Sequence, residues 1–437
     1  VAALCVFMVA AVVGILPALR LSSASAADAL NQSARGSSGR DDGMRRTIVG
    51  IEVAVSIVLI CGSVLLFKSL MRLQQVDTGV RAPNVVTASV DIGRDKYPTA
   101  AHAIAFYDRV IEEMRAIPGV ESATIAGDVP LEGTGGENLR MPGNADQRLL
   151  VRFKRADAGY FETMGLEVIG GRGFTAGDRL GTPYVTVINE ALVSDLKAAF
   201  GMDDPIGQIV DLPAIGFATP TERKSMRIIG IVKNERVRND LRAGIEGIAY
   251  VPIAQAPMLW TKLAVKTPVE ASVIAPAMRA ALRKVDDRVA LAEVRTVEQL
   301  RDLSLSGARE PAWLIGIFAA LSTLLAALGL YGVVAHVVTR QRREIGIRMA
   351  LGASSSSVLA MVLQHVMTTI AVGLIAGLAG AFALTRVMQS ILFEVSPLDP
   401  FAFTTAALAM TMVAMVAALV PASRATRVDP TTALRSE

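Results

Sequence analysis

Residues 47–67 read TIVGIEVAVSIVLICGSVLLF, a largely apolar run with one carboxylate, Glu52. As a helix rising about 1.5 Å per residue, the run spans about 31 Å, the thickness of a bilayer's hydrocarbon core. It therefore constrains the chain to a membrane fold. Four further runs, 1–19, 312–338, 358–385 and 401–421, have the same character. A mean hydropathy of +0.45, with 52% hydrophobic and 19% charged residues, fits a membrane protein that also carries a water-facing part. The run 312–338 is longer than a bilayer needs, so it is expected to tilt or to continue into water as a stalk.

Charge gives the orientation. Residues 68–310 hold 31 Lys and Arg against 31 Asp and Glu, so the net charge of +4 lies in the remainder. Arg20, Arg35, Arg40, Arg45 and Arg46 precede the run at 47, and Arg340, Arg342, Arg343 and Arg348 follow the run ending at 338. Arg424, Arg427 and Arg435 lie in the tail, whereas the loop 386–400 sets Arg386 against Glu394 and Asp399. Basic loops stay in the cytoplasm. Every crossing then alternates, and residues 68–310 lie outside as one large domain. A basic excess at helix ends is a topology signal, not the footprint of a nucleic-acid binder.

The outer domain reads as α/β with two subdomains. NVVTASVDI (84–92) alternates as a strand, and Ala103, Phe106, Val110 and Met114 mark a helix over 99–116. ESATIAG follows as a second strand. KLAVKTP (262–268), a helix over 272–284, VALAEVRT and a helix over 297–303 repeat the pattern. These two β-α-β halves frame an inserted subdomain at about 150–255.

No enzymatic constellation stands out. No G-x-x-x-x-G-K-[ST] phosphate loop occurs, GTGGE (133–137) reads as a loop, and GGRGFT (170–175) as a turn. His102, His336 and His365 are scattered, and Cys5 and Cys61 lie inside apolar runs, so neither metal-ligand spacing nor a disulfide framework forms. Catalytic, metal and cofactor roles are therefore expected to be absent from this chain. Glu52 lies about 8 Å into its helix and needs a polar contact there, either at the cytoplasmic interface or against a neighbouring helix. Gly373 and Gly377 form GxxxG, with Gly380 one turn on, and predict close helix packing or dimerisation.

The loop TRQRREIGIRMALGASSSSV (339–358) is too regular for a simple turn. Ile345, Met349 and Gly352 share a helix face, Gly352 suits a helix stop, and Ser354–Ser357 can cap the next helix. A short surface helix with an apolar edge and a basic face is expected.

RREIGIRMALGAS closely resembles the loop between membrane helices two and three of MacB/FtsX-type ABC permeases. RTIVGIEVAVSIVLICGSVLLFKSLMRLQQVDTG resembles the family's first helix and stalk. YFETMGLEVIGGRGFT, VINEAL and DPIGQIV resemble its periplasmic core domain, and PASRATRVDPTTALR its C-terminal end. The resemblance implies a membrane α-helical bundle of four core transmembrane helices, with a large extracytoplasmic α/β domain of two subdomains. A fifth, N-terminal fragment helix precedes the four. It implies that 68–310 is a MacB-like periplasmic core domain and 311–437 an FtsX-like permease domain in a cell inner membrane. It further implies that a cytoplasmic ABC ATPase on another chain grips Glu344, Ile345, Gly346, Arg348, Ala350, Leu351 and Gly352. The expected partners are that ATPase, a second permease copy, a periplasmic adaptor protein and membrane lipid. The expected role is export or efflux. The alternative is activation of a periplasmic cell-wall hydrolase without transport.

One repeat fits the same family. PALRLSSASAADAL (17–30) aligns with PASRATRVDPTTAL (421–434) at a shift of 404, through Pro17, Ala18, Arg20, Ala29 and Leu30. Residues 1–19, with no basic region before them and no cleavage pattern after, are then expected to be the terminal transmembrane helix of a preceding permease copy. Residues 20–46, small and polar, would be the cytoplasmic linker, as in duplicated orphan permeases. The partner copy would be that missing half or a homodimer mate.

Overall fold

The computed structural model describes residues 38–81, 84–213, 223–341, 347–348 and 354–425. The expected helix 1–19 and most of the linker 20–46 lie outside these residues. The chain divides into two compact units, one of residues 1–68 and 311–437, the other of 69–310.

The outer unit is built on four strands: β1 (Val85–Asp91), β2 (Ser122–Ala126), β10 (Trp260–Lys266) and β11 (Leu291–Thr296). They pair antiparallel in the order β11-β1-β10-β2. Helices α2 (Ala100–Arg115) and α5 (Ala271–Val285) cover this sheet, so the chain runs β-α-β twice. α2 starts where Thr99 accepts the N–H of His102, and it buries Ala103, Phe106, Tyr107, Val110 and Met114. Their three- and four-residue spacing places them on one helix face.

Between β2 and β10 the chain inserts β3 (Gly136–Met141), β4 (Asn144–Ala156), α3 (Tyr160–Met164), β5 (Val168–Gly171) and β6 (Val185–Asn189). It continues through α4 (Glu190–Phe200), β7 (Ile209–Pro213), β8 (Arg223–Val232) and β9 (Ile248–Pro252). The order β4-β3-β7-β8-β6-β9 closes because β4 also pairs with β9, in parallel, from Arg152↔Ile248 to Ala156↔Pro252. The insertion is thus a six-stranded ring with β5 added beside β8. Its strands begin at Gly136, ahead of the expected position near 150. GENLRM buries only Leu139 and gives no apolar alternation to read. β6 and β9 are buried along their whole length, and α4 is capped by Asn189 and stopped by Gly201 in the left-handed region.

Among the described residues, four helices are long and apolar enough to cross a membrane: α1 (Ser38–Gln74), α6 (Val297–Arg340), α7 (Ser355–Val387) and α8 (Pro400–Ala425). α6 follows β11 without a break and, at 44 residues, is about 66 Å long. Residues 297–303 are thus the first turns of the same helix that carries the run 312–338. The membrane unit buries Val49, Val53, Ile57, Cys61 and Leu65 of α1, each four residues after the last. α8 answers with Ala402, Ala406, Met410, Ala414, Ala418 and Ala422. Small residues let helices approach where lipid removes the hydrophobic drive for packing.

Candidate coupling and transmission site

Of the loop residues expected to meet an ATPase, Glu344, Ile345, Gly346, Ala350, Leu351 and Gly352 lie outside the described residues. Arg348 is described, on a helical turn with the exposed Ile347. Its Nη1 donates to Met361 Sδ on α7 at 2.7 Å. α7 begins beside it, where Ser354 caps the N–H of Ser357 at 3.3 Å.

Gly373, Gly377 and Gly380 face α1. A methyl placed on Gly373 would lie 2.9 Å from the Gly50 carbonyl oxygen, and one on Gly377 would lie 2.9 Å from that of Ala54. On Gly380 it would meet only the Val58 side chain, at 3.2 Å. The partners advance together along both helices, so α1 and α7 run parallel. Gly373, Gly377 and Gly380 thus serve a contact within this chain.

On another face, α1 packs antiparallel to α6 through small and polar residues. Ser56 Oγ lies 2.8 Å from Ser322 Oγ, and a methyl on Gly329 would stand 2.6 Å from Glu52 Oε2. That oxygen is buried, with no hydrogen-bond partner among the described residues. Glu52 therefore sits in a helix–helix seam, held against the glycine that makes room for it. At the far end of the same helix, Lys68 pairs with Asp399 and lies over the Phe401 ring, and Phe67 meets Trp313 edge-on at 5.5 Å.

In the outer unit, the chain leaves α1 through Asp77–Gly79 and meets residues 234–236, just after β8. Arg236 N–H donates to the Thr78 carbonyl at 2.9 Å. Its guanidinium donates to the carbonyls of Asp77 and Leu241, both at 3.2 Å, and to that of Ala243. Gly79, at φ +78°, lies against the Asn234 carbonyl and leaves no room for a side chain. Glu235 is 1% exposed. Its carboxylate accepts from Lys154 Nζ at 2.9 Å, Tyr250 Oη at 2.7 Å and Tyr160 Oη at 3.0 Å. Burial, and then Glu235 beside them, push both tyrosine hydroxyls well above their ordinary range. They are donors at any pH the protein meets. Arg301, on the first turns of α6, donates to the carbonyls of Gln74 and Val76. Sequence reasoning missed this whole junction, because KNERVRND reads as a solvated loop.

A cleft of about 320 Å³ lies between α2 and the insertion, walled by Ile104, Ile111, Phe174 and Ile253. Arg179 Nη2 reaches Asp108 across it at 3.3 Å. Asp157 lies at its edge, its carboxyl pushed up to about 6 by burial, against the opposing pull of Thr124, Arg115 and the Gly159 N–H.

The profile of the MacB-like periplasmic core domain matches residues 46–294, and that of the FtsX-like permease C-terminal region matches 316–430. The chain belongs to the MacB/FtsX-type ABC transporter permeases. Among its relatives, the uncharacterized ABC transporter permease YvrN of Bacillus subtilis is 24% identical over 64% of this permease and 69% of YvrN. The macrolide export ATP-binding/permease protein MacB of Mannheimia succiniciproducens is also 24% identical, over 64% of this permease and 42% of MacB. The pyoverdine export ATP-binding/permease protein PvdT of Pseudomonas fluorescens is 34% identical over 28% and 19%. This permease thus spans less than half the length of the two ATP-binding relatives.

Proposed function

We propose that this permease transmits ATP-driven movement from a cytoplasmic ATPase, lying outside these 437 residues, to the outer domain, and so exports a substrate across the cell inner membrane. The observation that carries the reading is the placement of the two chain passages out of the outer domain. β1 opens at Val85 and β11 closes at Thr296, and Val86 pairs with Thr296 in the sheet. Both membrane-bound segments therefore lead away from one end of one strand pair, so relative displacement of α1 and α6 is delivered to this end of the outer domain. The names of the relatives MacB and PvdT, both export proteins, favour transport over activation of a cell-wall hydrolase. A second permease copy and a periplasmic adaptor complete the proposed assembly.

The coupling residues are Glu344, Ile345, Gly346, Arg348, Ala350, Leu351 and Gly352. Their apolar edge docks in the ATPase, and Glu344 and Arg348 set the register through charged partners. The test is the Glu344→Lys/Gly346→Trp double variant, expected to insert in the membrane normally and to lose stimulation of its ATPase. A double variant that still co-purifies with the ATPase and stimulates it as the parent does sinks the assignment.

A further inference from the structure

Resting on this transmission reading, we infer that Arg236 and Gly79 are positioning residues that make the inserted barrel follow the first stalk, so that movement of α1 opens and closes the cleft between the barrel and α2. The outer domain has two parts with separate buried cores, the four-stranded sheet and the six-stranded ring, and the strands β2 and β4 that join them pair through Ala126↔Ala156. The stalks engage these parts differently. α6 continues β11, a strand of the sheet. The exit of α1 is met by Arg301 of α6 at Gln74 and Val76 and reaches the ring before the sheet. Three consecutive residues, Asp77–Gly79, lie against Asn234–Arg236 before the chain goes on to β1.

That contact is anchored deep in the ring. Asn234 Oδ1 accepts the Ala191 N–H at the start of α4 at 3.0 Å. Glu235 is held by Lys154 of β4, Tyr250 of β9 and Tyr160 of α3, all fully buried. A buried carboxylate with a lysine and two phenols has no cheap way to let go, since freeing it strands a buried charge. Among the described residues, the Arg236 guanidinium donates to carbonyls, one from the stalk exit and two from the loop at 241–243. The stalk end is thus fastened to the ring by buried groups, and the connection from β5 to β6 walls the cleft at Phe174 and Arg179. Shifting α1 against α6 moves ring against sheet. The cleft, bridged by the half-exposed Asp108–Arg179 pair, is where this movement would be read.

The test uses the full permease in lipid nanodiscs with the ATPase that co-purifies with it. Cys5 and Cys61 are replaced by alanine, and a cysteine pair is placed at Asp108 and Arg179 to report cleft width by cross-linking yield. With Arg236 intact, adding a non-hydrolysable ATP analogue is expected to change the yield by about fivefold, the low end of ordinary coupling between sites. Arg236→Ala is expected to abolish that change while ATPase stimulation persists, and Arg236→Lys to restore it in part. Two insertions remove any ambiguity from misfolding. Gly-Gly between Val76 and Asp77 slackens the link before the contact and should abolish the response. Gly-Gly after Arg81, between the contact and β1, should leave it. Equal responses in the parent and Arg236→Ala, or loss on the second insertion, overturn the inference while leaving the coupling reading intact. An ATPase that neither co-purifies nor is stimulated removes both.

Discussion

Placing a methyl on Gly377 tests the packing of the membrane unit. Its nearest neighbours there would be the Ala54 carbonyl oxygen and the Ile57 Cβ, both at 2.9 Å, and the Ala54 Cα at 3.0 Å. These atoms belong to the backbone and Cβ of α1, so no side chain can swing aside and the whole helix must shift. Forcing an extra carbon into a packed contact costs about 1–3 kcal/mol. The gain in helix propensity from Gly to Ala returns up to about 1 kcal/mol. A net loss of about 1–2 kcal/mol is expected for Gly377→Ala and, by the same geometry, for Gly373→Ala. Gly380→Ala meets only the movable Val58 methyl at 3.2 Å, and Gly332→Ala meets nothing within 4 Å. The expected order of stability is Gly332→Ala, then Gly380→Ala, then the other two together. The assay is SDS-driven unfolding in mixed micelles, followed by Trp313 fluorescence in a Trp260→Phe background, since the chain has two tryptophans. If Gly377→Ala unfolds at the same SDS fraction as Gly332→Ala, the close approach of α1 and α7 is wrong.

Gly329→Ala is expected to destabilise the membrane unit because its methyl meets Glu52 Oε2, and Glu52→Ala should relieve most of that loss in a double-mutant cycle read by the same SDS titration. Lys154→Met leaves Glu235 buried without its cation and should cost about 3–5 kcal/mol in denaturant unfolding, with Lys154→Met/Glu235→Leu losing less than Lys154→Met alone. Asp157, with its folded carboxyl pushed up to about 6, holds a proton in the folded state that the unfolded chain releases near 4, so its contribution is present below about pH 4 and lost as pH rises through about 6. Thermal melts should therefore show Asp157→Asn gaining on the parent across that window, and a constant difference from pH 4 to 7 would refute the burial argument.

The parts legible in the sequence are those whose signal is local. NVVTASVDI announced β1, and Ala103, Phe106, Val110 and Met114 announced α2, because a period needs only neighbours along the chain. The membrane runs and their alternation came from length and charge alone. The ring was not legible. Its closure depends on Arg152 meeting Ile248, a parallel pairing that leaves no mark on either segment. β3 failed for want of alternation, since one residue of six is buried. At the candidate site, Glu52 and the glycines could be singled out by type, but not the helix each would meet. Lys154 and Glu235 stand among charged neighbours in VRFKRA and KNERVRND, and nothing local separates a buried ion pair from a solvated one.

Chain order adds a consequence for how the outer domain is made. The sheet is discontinuous in sequence, since β2 ends at Ala126 and its neighbour β10 starts at Trp260. The ring lies wholly within 136–252, between them. As the chain emerges, the ring has all its strands before β10 exists, and the sheet cannot be completed until the ring is synthesised. A closed ring brings Ala156 beside Pro252 and so draws the ends of the insertion together. The entropy of closing the long loop from β2 to β10 is then lost in many small steps inside the ring, not in one late search. Folding of the outer domain is therefore vectorial by construction, ring before sheet, and a ring that fails to close leaves β1 and β2 as waiting edges beside the membrane.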